Sequence, residues 1–395
     1  MTSLSCERPL SDIDALPTLA RTVHRCLDRD FTRSVQIAVM SRGDLLVSLA
    51  AGTTSLGHDA TVDTVYLWSC VTKPLVAIVV GILVDHGEVT LTDPIGDYVT
   101  ELGRPACEVT ILELLTHRAG FGDVGAQAYF PNRREPNRGD RDAAFHAINT
   151  ATFDHGIGIA GDAAYSVFAN WFLLSEMIEH ILGVPATEAV RRHVSEPLGV
   201  WVEQWLSADR LREVDRAPFK MRWDDIAERV LHRADQANGP VPDAAFEVLD
   251  GRTDHFYSPG SSGIGPMQSL AAVLDAVLCD ALDGGGRLLS QRTANLLASP
   301  HRVAVTDRTA ENDFAWGLGM TADRRAFAPQ LSATAFGHVG WDSSCIAFAD
   351  LEHQLSVAIG FDEQLGGMDG VIRHGAVVGA LLADLGIDRV TEASP

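Results

Sequence analysis

The chain has 395 residues, 46% of them apolar, and a formal net charge of −22. That length and composition fit one large globular domain with a substantial core and exclude a disordered or fibrous class. The acidic balance excludes nucleic acid and an anionic membrane as partners, because both are bound through basic patches and none is visible.

Apolar residues at helical spacing (Leu16, Leu19, Ala20, Val23, Cys26, Leu27) predict a first helix over residues 17–30. The stretch "SVQIAVMSRGDLLVSLAAG" reads as two strands joined at "SRGD". A strand-like "TVYLW" then leads into "SCVTKP" and an apolar run from Pro74 to Val84, too short to cross a bilayer and predicted as a core helix. A long, mostly helical middle follows, to about residue 325, with loops such as "YFPNRREPNRGDR" and "RTDHFYSPGSSGIGP". Near the C-terminus "TAFGHVGWDSSCIAFADLEHQLSVAIGF" gives three short strands with turns at "GWD" and "DLEHQ", and a helix follows from about Gly370 to Leu385.

Strands at both ends predict an α+β fold: one antiparallel sheet covered by the terminal helices, with the helical middle inserted as a second lobe. The boundaries expected for this single catalytic domain, 1–395, are 17–68 and 326–388 for the sheet lobe and 69–325 for the helical lobe, with a site in the cleft between them.

Six cysteines (Cys6, Cys26, Cys70, Cys107, Cys279, Cys345) show no CxxC and no repeated spacing, so neither structural zinc nor a disulfide framework is expected. The histidines form no HxxxH or HExxH pair, and the glycine-rich "GIGIAG" and "DGGGR" lack a strand–glycine–helix context. No metal or other cofactor is therefore expected. Acids and prolines in "MTSLSCERPLSDIDALPTLA" replace the basic start and apolar core of a secretory signal, which predicts a cytoplasmic protein.

Of 31 basic residues only two are lysines, Lys73 and Lys220. Lys73 lies four residues after Ser69, so a helix would present both on one face. A nucleophilic serine needs a nearby base and N–H donors for the oxyanion. A serine at a helix start offers its own N–H, and a lysine in so apolar a setting has its pKa lowered by desolvation, as a base requires. Pro74 restrains Lys73 and predicts a local kink instead of a regular turn.

"LWSCVTKPLVAIVVGILVDHGEVTLTDPIGDYV" and "VTILELLTHRAGF" resemble the serine β-lactamase-like superfamily, in the branch of class C β-lactamases, family VIII esterases and DD-peptidases. The order of "AYSVFANWFLLSEMIEHILG", "EPLGV", "PGSSGIGPMQSLAAVLDAVL", "GGGRLLS", "FAWGLGM" and "FGHVGWDSSCIAFADLEHQLSVAI" agrees, so the resemblance covers roughly residues 30–385. It implies Ser69 as the acylated nucleophile, Lys73 as its proton acceptor and Tyr165 as partner in the proton shuttle. The oxyanion donors it implies are the N–H groups of Ser69 and Trp341. The Tyr-x-Asn motif reads Tyr165-Ser166-Val167, so its asparagine is missing. Asn170 is the candidate replacement, with a capping role as the competing reading.

The Lys-Thr-Gly motif reads His338-Val339-Gly340, with His338, Gly340 and Trp341 implied to contact substrate. His338 exchanges a fixed cation for a group expected to titrate near neutral pH, with a structural cross-strand histidine as the alternative. Val339 removes the motif's hydroxyl; both changes weaken recognition of a carboxylate and resemble the His-x-Gly version found in esterases and acyltransferases of this group. His117 is expected to hold its loop, Cys70 to be a packed side chain, and Trp171 either to line the pocket or to pack in the core. The expected function is a serine esterase or amidase acting on a small-molecule ester or amide. An acyltransferase of secondary metabolism and a non-catalytic ligand binder are the alternatives, and oligomeric state is left open.

Overall fold

A computed structural model of the chain describes residues 11–54, 57–122, 124–125, 140–150, 163–204, 220–222, 258–340, 343–365 and 367–387. Helix α1 (Pro17–Asp28) starts on a proline and buries Leu19, Ala20, Val23 and Cys26 along one stripe. Strands β1 (Ser34–Ser41) and β2 (Asp44–Gly52) form a hairpin whose two turn residues, Arg42 and Gly43, have φ of 51° and 96°. Such mirror-image turns match the right-handed twist of the flanking strands.

Strand β3 (Tyr66–Leu67) leads into a 3-10 turn, Ser69–Thr72, and then α2 (Lys73–Asp85). The kink expected at Pro74 takes the form of a change of helix type. The irregular turn precedes the proline, which sits in the first α-helical turn where its missing N–H costs nothing. Further on come α3 (Ile111–Leu115), closed by a Thr110–Glu113 capping box, α4 (Arg141–Thr150) and α5 (Ala169–Leu182). Strand β4 (Lys220–Arg222), β5 (Ile264–Gly265), α6 (Met267–Asp283) and α7 (Gln291–Ala298) precede the C-terminal strands β6 (Ala335–Val339), β7 (Cys345–Asp350), β8 (Leu355–Phe361) and β9 (Glu363–Leu365). Helix α8 (Gly367–Asp384) ends the described chain, close to the apolar helix read from the sequence.

The main sheet runs β2-β1-β8-β7-β6, antiparallel throughout. Pairing of β1 with β8, from Val35↔Phe361 to Met40↔Ser356, joins the two ends of the chain as the strand pattern predicts. The two faces of this sheet differ in side-chain size. Val35, Ile37, Val39, Ile346, Phe348, Val357, Ile359 and Phe361 face α1 and α8, packing with Leu19, Val23, Val377 and Leu381. The other face carries Ala38, Ala347, Ala349 and Ala358, and against it lies α6. Small residues let this helix come close: a Cβ on Gly360 would lie 2.9 Å from Met267 Sδ. The Ser356 hydroxyl donates to the Ala271 carbonyl at 2.9 Å, and the Met267 N–H donates to Gln36 Oε1, so polar contacts fix the helix to the sheet.

Helix α2 is buried from Lys73 to Leu83 on all sides and packs against α5 and α7. Among the described residues no helix is long and apolar enough to cross a membrane.

Candidate active site

Ser69 opens the 3-10 turn with φ of 50° and is 7% exposed. A left-handed backbone at a non-glycine residue costs on the order of 1–2 kcal/mol and persists only where its surroundings impose it. The surroundings here come from the segment before α6. The Trp68 N–H donates to the Gly263 carbonyl at 2.8 Å, and Trp68 Nε1 donates to the Gly265 carbonyl at 2.9 Å. The Thr72 hydroxyl donates to the Ser69 carbonyl at 2.6 Å and accepts the Gly263 N–H at 2.8 Å. Glycine is required at both positions, since a Cβ on Gly263 would lie 2.7 Å from Thr72 Oγ1 and one on Gly265 2.5 Å from the Trp68 ring.

Lys73 is 0% exposed. Its Nζ donates to the Gly260 carbonyl at 3.1 Å and lies 5.1 Å from the ring centroid of Tyr165 and 5.7 Å from that of Trp171. Trp171 is fully buried and donates through Nε1 to the Ser166 carbonyl at 3.1 Å, so it belongs to the core. Cys70, too, is buried.

Tyr165 is half-buried, with its hydroxyl 3.5 Å from His338 Nε2. His338 Nδ1 lies 2.8 Å from the Val339 carbonyl, which can only accept, so Nδ1 carries the hydrogen and Nε2 faces the phenol as a lone pair. The expectation that His338 titrates near neutral pH is wrong. Burial, with Lys73 adding to it, pushes its pKa down to about 3, and the third motif presents a neutral imidazole. Gly340 donates its N–H to the Cys345 carbonyl at 2.6 Å, and a Cβ there would lie 3.1 Å from that oxygen and from Ser344 Oγ. Close backbone packing therefore leaves little room for a side chain at this position.

Lys73, Tyr165 and His338 are thus in direct contact, and the Ser69–Thr72 turn packs against β6, which carries His338. Trp341 lies outside the described residues. Asn170 is buried in the first turn of α5, and its side-chain Oδ1 has no hydrogen-bond partner among the described residues. Its N–H donates to Ser166 Oγ at 3.1 Å, and its side-chain Nδ2 donates to the Leu114 carbonyl at 2.7 Å, tying α5 to α3. His117, fully buried with φ of 56°, accepts the Ser166 N–H on Nδ1 at 3.0 Å, and burial holds its pKa well below the usual value. These are the contacts of a loop anchor.

Three neighbours escape sequence reasoning. The Trp316 ring centroid lies 5.6 Å from those of Tyr165 and His338 and 4.8 Å from that of His117, edge-on to both imidazoles. Arg302 and Asp307 lie behind it as a fully buried ion pair. They occur in "HRVAVTDRTAEND", a polar loop with no periodicity or motif, and only Trp316, in "FAWGLGM", falls in a segment the sequence singles out.

A serine on a strained turn, a buried amine, a phenol between amine and imidazole: this set holds the nucleophile, base and acid that acyl transfer needs, in a water-poor setting. Among the described residues no group of three or more His, Cys, Asp or Glu could hold a metal ion.

Known proteins share this fold. Esterase EstB from Burkholderia gladioli is 26% identical over 306 residues, spanning 70% of this chain and 74% of that protein. A family VIII carboxylesterase superposes with a TM-score of 0.73 at 18% identity, over 95% of this chain and 99% of the other. EstCE1, described as a hydrolase with promiscuous acyltransferase activity, superposes with a TM-score of 0.71 at 16% identity, over 94% and 100% of the two chains. Residues 19–380 match the protein family described as Beta-lactamase. Because that match begins in α1 and ends in α8, it takes in the whole sheet and every site segment described above: the chain belongs to the beta-lactamase family.

Proposed function

We propose that the protein is a serine hydrolase that cleaves an uncharged small-molecule ester through an acyl-enzyme on Ser69. The observation that carries this reading is Lys73, an amine without solvent exposure, set one turn after Ser69 and against Tyr165. In the reaction Ser69 Oγ bonds to the ester carbonyl carbon while its proton passes to Lys73. The tetrahedral oxyanion takes hydrogen bonds from the N–H groups of Ser69 and Trp341. The carbon–oxygen bond of the leaving group then breaks, and Tyr165 gives that oxygen a proton which Lys73 replaces. Water repeats the sequence on the acyl-enzyme, losing a proton to the same pair and releasing the acid.

The neutral His338 supports an uncharged substrate. A lysine at that position would attract a carboxylate, whereas an imidazole with a pKa of about 3 offers no charge. The esterase relative supports an ester as the bond cleaved.

Transfer of the acyl group to an alcohol or amine is the second reading. It is favoured by the transferase activity of EstCE1, and it needs only a different acceptor at the second step. Turnover of p-nitrophenyl butyrate by the wild type, lost in Ser69→Ala, is the expected result, and undiminished turnover in that variant would sink the proposal. Offering glycerol and butylamine in competition with water separates the two readings.

A further inference from the structure

We infer that the buried ion pair of Arg302 and Asp307 positions Tyr165, which makes both of them positioning residues of the reaction proposed above, on which this inference rests. Both side chains are 0% exposed, and Arg302 Nη2 lies 3.0 Å from Asp307 Oδ2. The other carboxylate oxygen, Asp307 Oδ1, accepts the N–H of Tyr165 itself at 2.9 Å, together with those of Thr309 at 3.0 Å and Ala310 at 2.9 Å. On its far side Arg302 Nη1 donates to the carbonyls of Thr116 at 3.2 Å and His117 at 3.4 Å.

His117 in turn holds the residues on either side of Tyr165. The Ala164 N–H donates to its carbonyl at 3.1 Å, and the Ser166 N–H to its Nδ1 at 3.0 Å. Three consecutive peptide groups, 164 to 166, are therefore fixed by one carboxylate and one loop, and Arg302 joins the two. The same arginine exchanges backbone hydrogen bonds with Trp316 at 2.9 and 3.0 Å, and its guanidinium lies 5.4 Å from the indole that sits beside Tyr165 and His338.

Stability alone is a weak reason for this arrangement. Well-packed apolar side chains commonly replace a buried ion pair without loss, because desolvating two charges offsets most of their attraction. An ion pair does what an apolar pair cannot: it fixes direction. Tyr165 sits outside any regular helix or strand, four residues before α5, so no helical or sheet hydrogen bonds hold its main chain. A phenol that must deliver a proton to a leaving group tolerates little displacement, since an error of about 1 Å can cost about 10²-fold in rate.

The test compares Asp307→Asn, Arg302→Lys, Tyr165→Phe and the double variant Asp307→Asn/Tyr165→Phe in p-nitrophenyl butyrate hydrolysis, with amide exchange followed at Tyr165. The side chain of Asp307→Asn keeps its size and an acceptor oxygen but leaves Arg302 without its counter-charge. Expected is a fall in kcat of about 10²-fold with KM changed less than about 3-fold. The double variant is expected to match Tyr165→Phe, because a residue that acts through the phenol has nothing left to position. Exchange at the Tyr165 amide is expected to quicken at least about 10-fold while α8 stays protected. Losses that multiply in the double variant, or a kcat of Asp307→Asn within about 3-fold of wild type, overturn the inference. If Asp307→Asn does not fold, Arg302→Lys, which retains the charge but loses the fork to residues 116 and 117, is read in its place and judged by the same criteria. Full activity in Tyr165→Phe overturns the reaction reading and with it the purpose given to the pair, whereas unchanged exchange at Tyr165 overturns the pin alone.

Discussion

Acidification from about pH 7.5 to about pH 5 is expected to remove about 2 kcal/mol of stability for each histidine that folding keeps neutral. His338 and His374 are held at about 3 and about 4, below the ordinary 6.5, in both cases mainly by burial and then by a nearby cation, Lys73 or Arg373. As pH falls through 6.5 the unfolded chain takes up a proton at each of these positions and the folded chain does not. Their contribution is therefore complete above that value and is lost progressively down to the folded pKa. At about pH 5, some 1.5 units below the unfolded value, each loses about 2 kcal/mol at about 1.4 kcal/mol per unit. For His338 and His374 together this comes to about 4 kcal/mol, a large part of a typical folding stability of 5–15 kcal/mol. His117, also held well below 6.5 by burial, acts in the same direction. Asp275 and Glu176, whose pKa values burial raises, act in the opposite direction. The discriminating quantity is therefore the difference between wild type and a single variant. His374→Gln retains a donor for the Phe327 carbonyl, which His374 Nε2 now meets at 3.0 Å. Urea midpoints at the two pH values should show it losing about 2 kcal/mol less than wild type on acidification. Equal losses in the two proteins, within about 0.5 kcal/mol, would refute the reasoning.

Lys73→Met should lower ester turnover by at least about 10³-fold and yet raise the urea midpoint, because a fully buried amine costs more to desolvate than a thioether of similar volume. A drop in stability would show that the amine is held there at no net cost. Gly263→Ala places a Cβ 2.7 Å from Thr72 Oγ1 and should displace the threonine from the Ser69 carbonyl. The expected result is about 1–3 kcal/mol of destabilisation and at least about 10-fold lower kcat, read by thermal melting and ester assay. His338→Lys puts a cation beside Tyr165 and should shift the ratio of kcat/KM toward a carboxylate-bearing p-nitrophenyl ester by at least about 10-fold over its neutral counterpart. An unchanged ratio would remove His338 from substrate selection.

The hairpin at Arg42-Gly43 and the pairing of N- and C-terminal strands were legible because both are written in short-range signals: turn residues, and alternation at a period of two. The Ser69–Lys73 spacing was legible for the same reason. What failed was set by contacts distant in sequence. His338 looks like a neutral-pH switch until burial and Lys73, 265 positions away, are taken into account. Asn170 gives one half of its amide, Nδ2, to the Leu114 carbonyl, a contact 56 positions away that its sequence neighbours do not announce. The glycines of "GSSGIG" carry no chemistry of their own, and only the indole, threonine and lysine packed against them give them a purpose. The irregularity expected at Pro74 was legible as such, but its form, a 3-10 turn giving way to α-helix at Lys73, was not. Arg302 and Asp307 gave no signal, since two residues five positions apart in a polar loop say nothing about the three segments they join.

Covalent capture of the nucleophile tests the central claim most directly. After brief incubation with a fluorophosphonate or with p-nitrophenyl butyrate followed by acid quench, proteolysis and mass spectrometry should locate one adduct, on Ser69, absent from Ser69→Ala and greatly slowed in Lys73→Met. An adduct on another residue, or turnover that continues with Ser69 replaced, would contradict it.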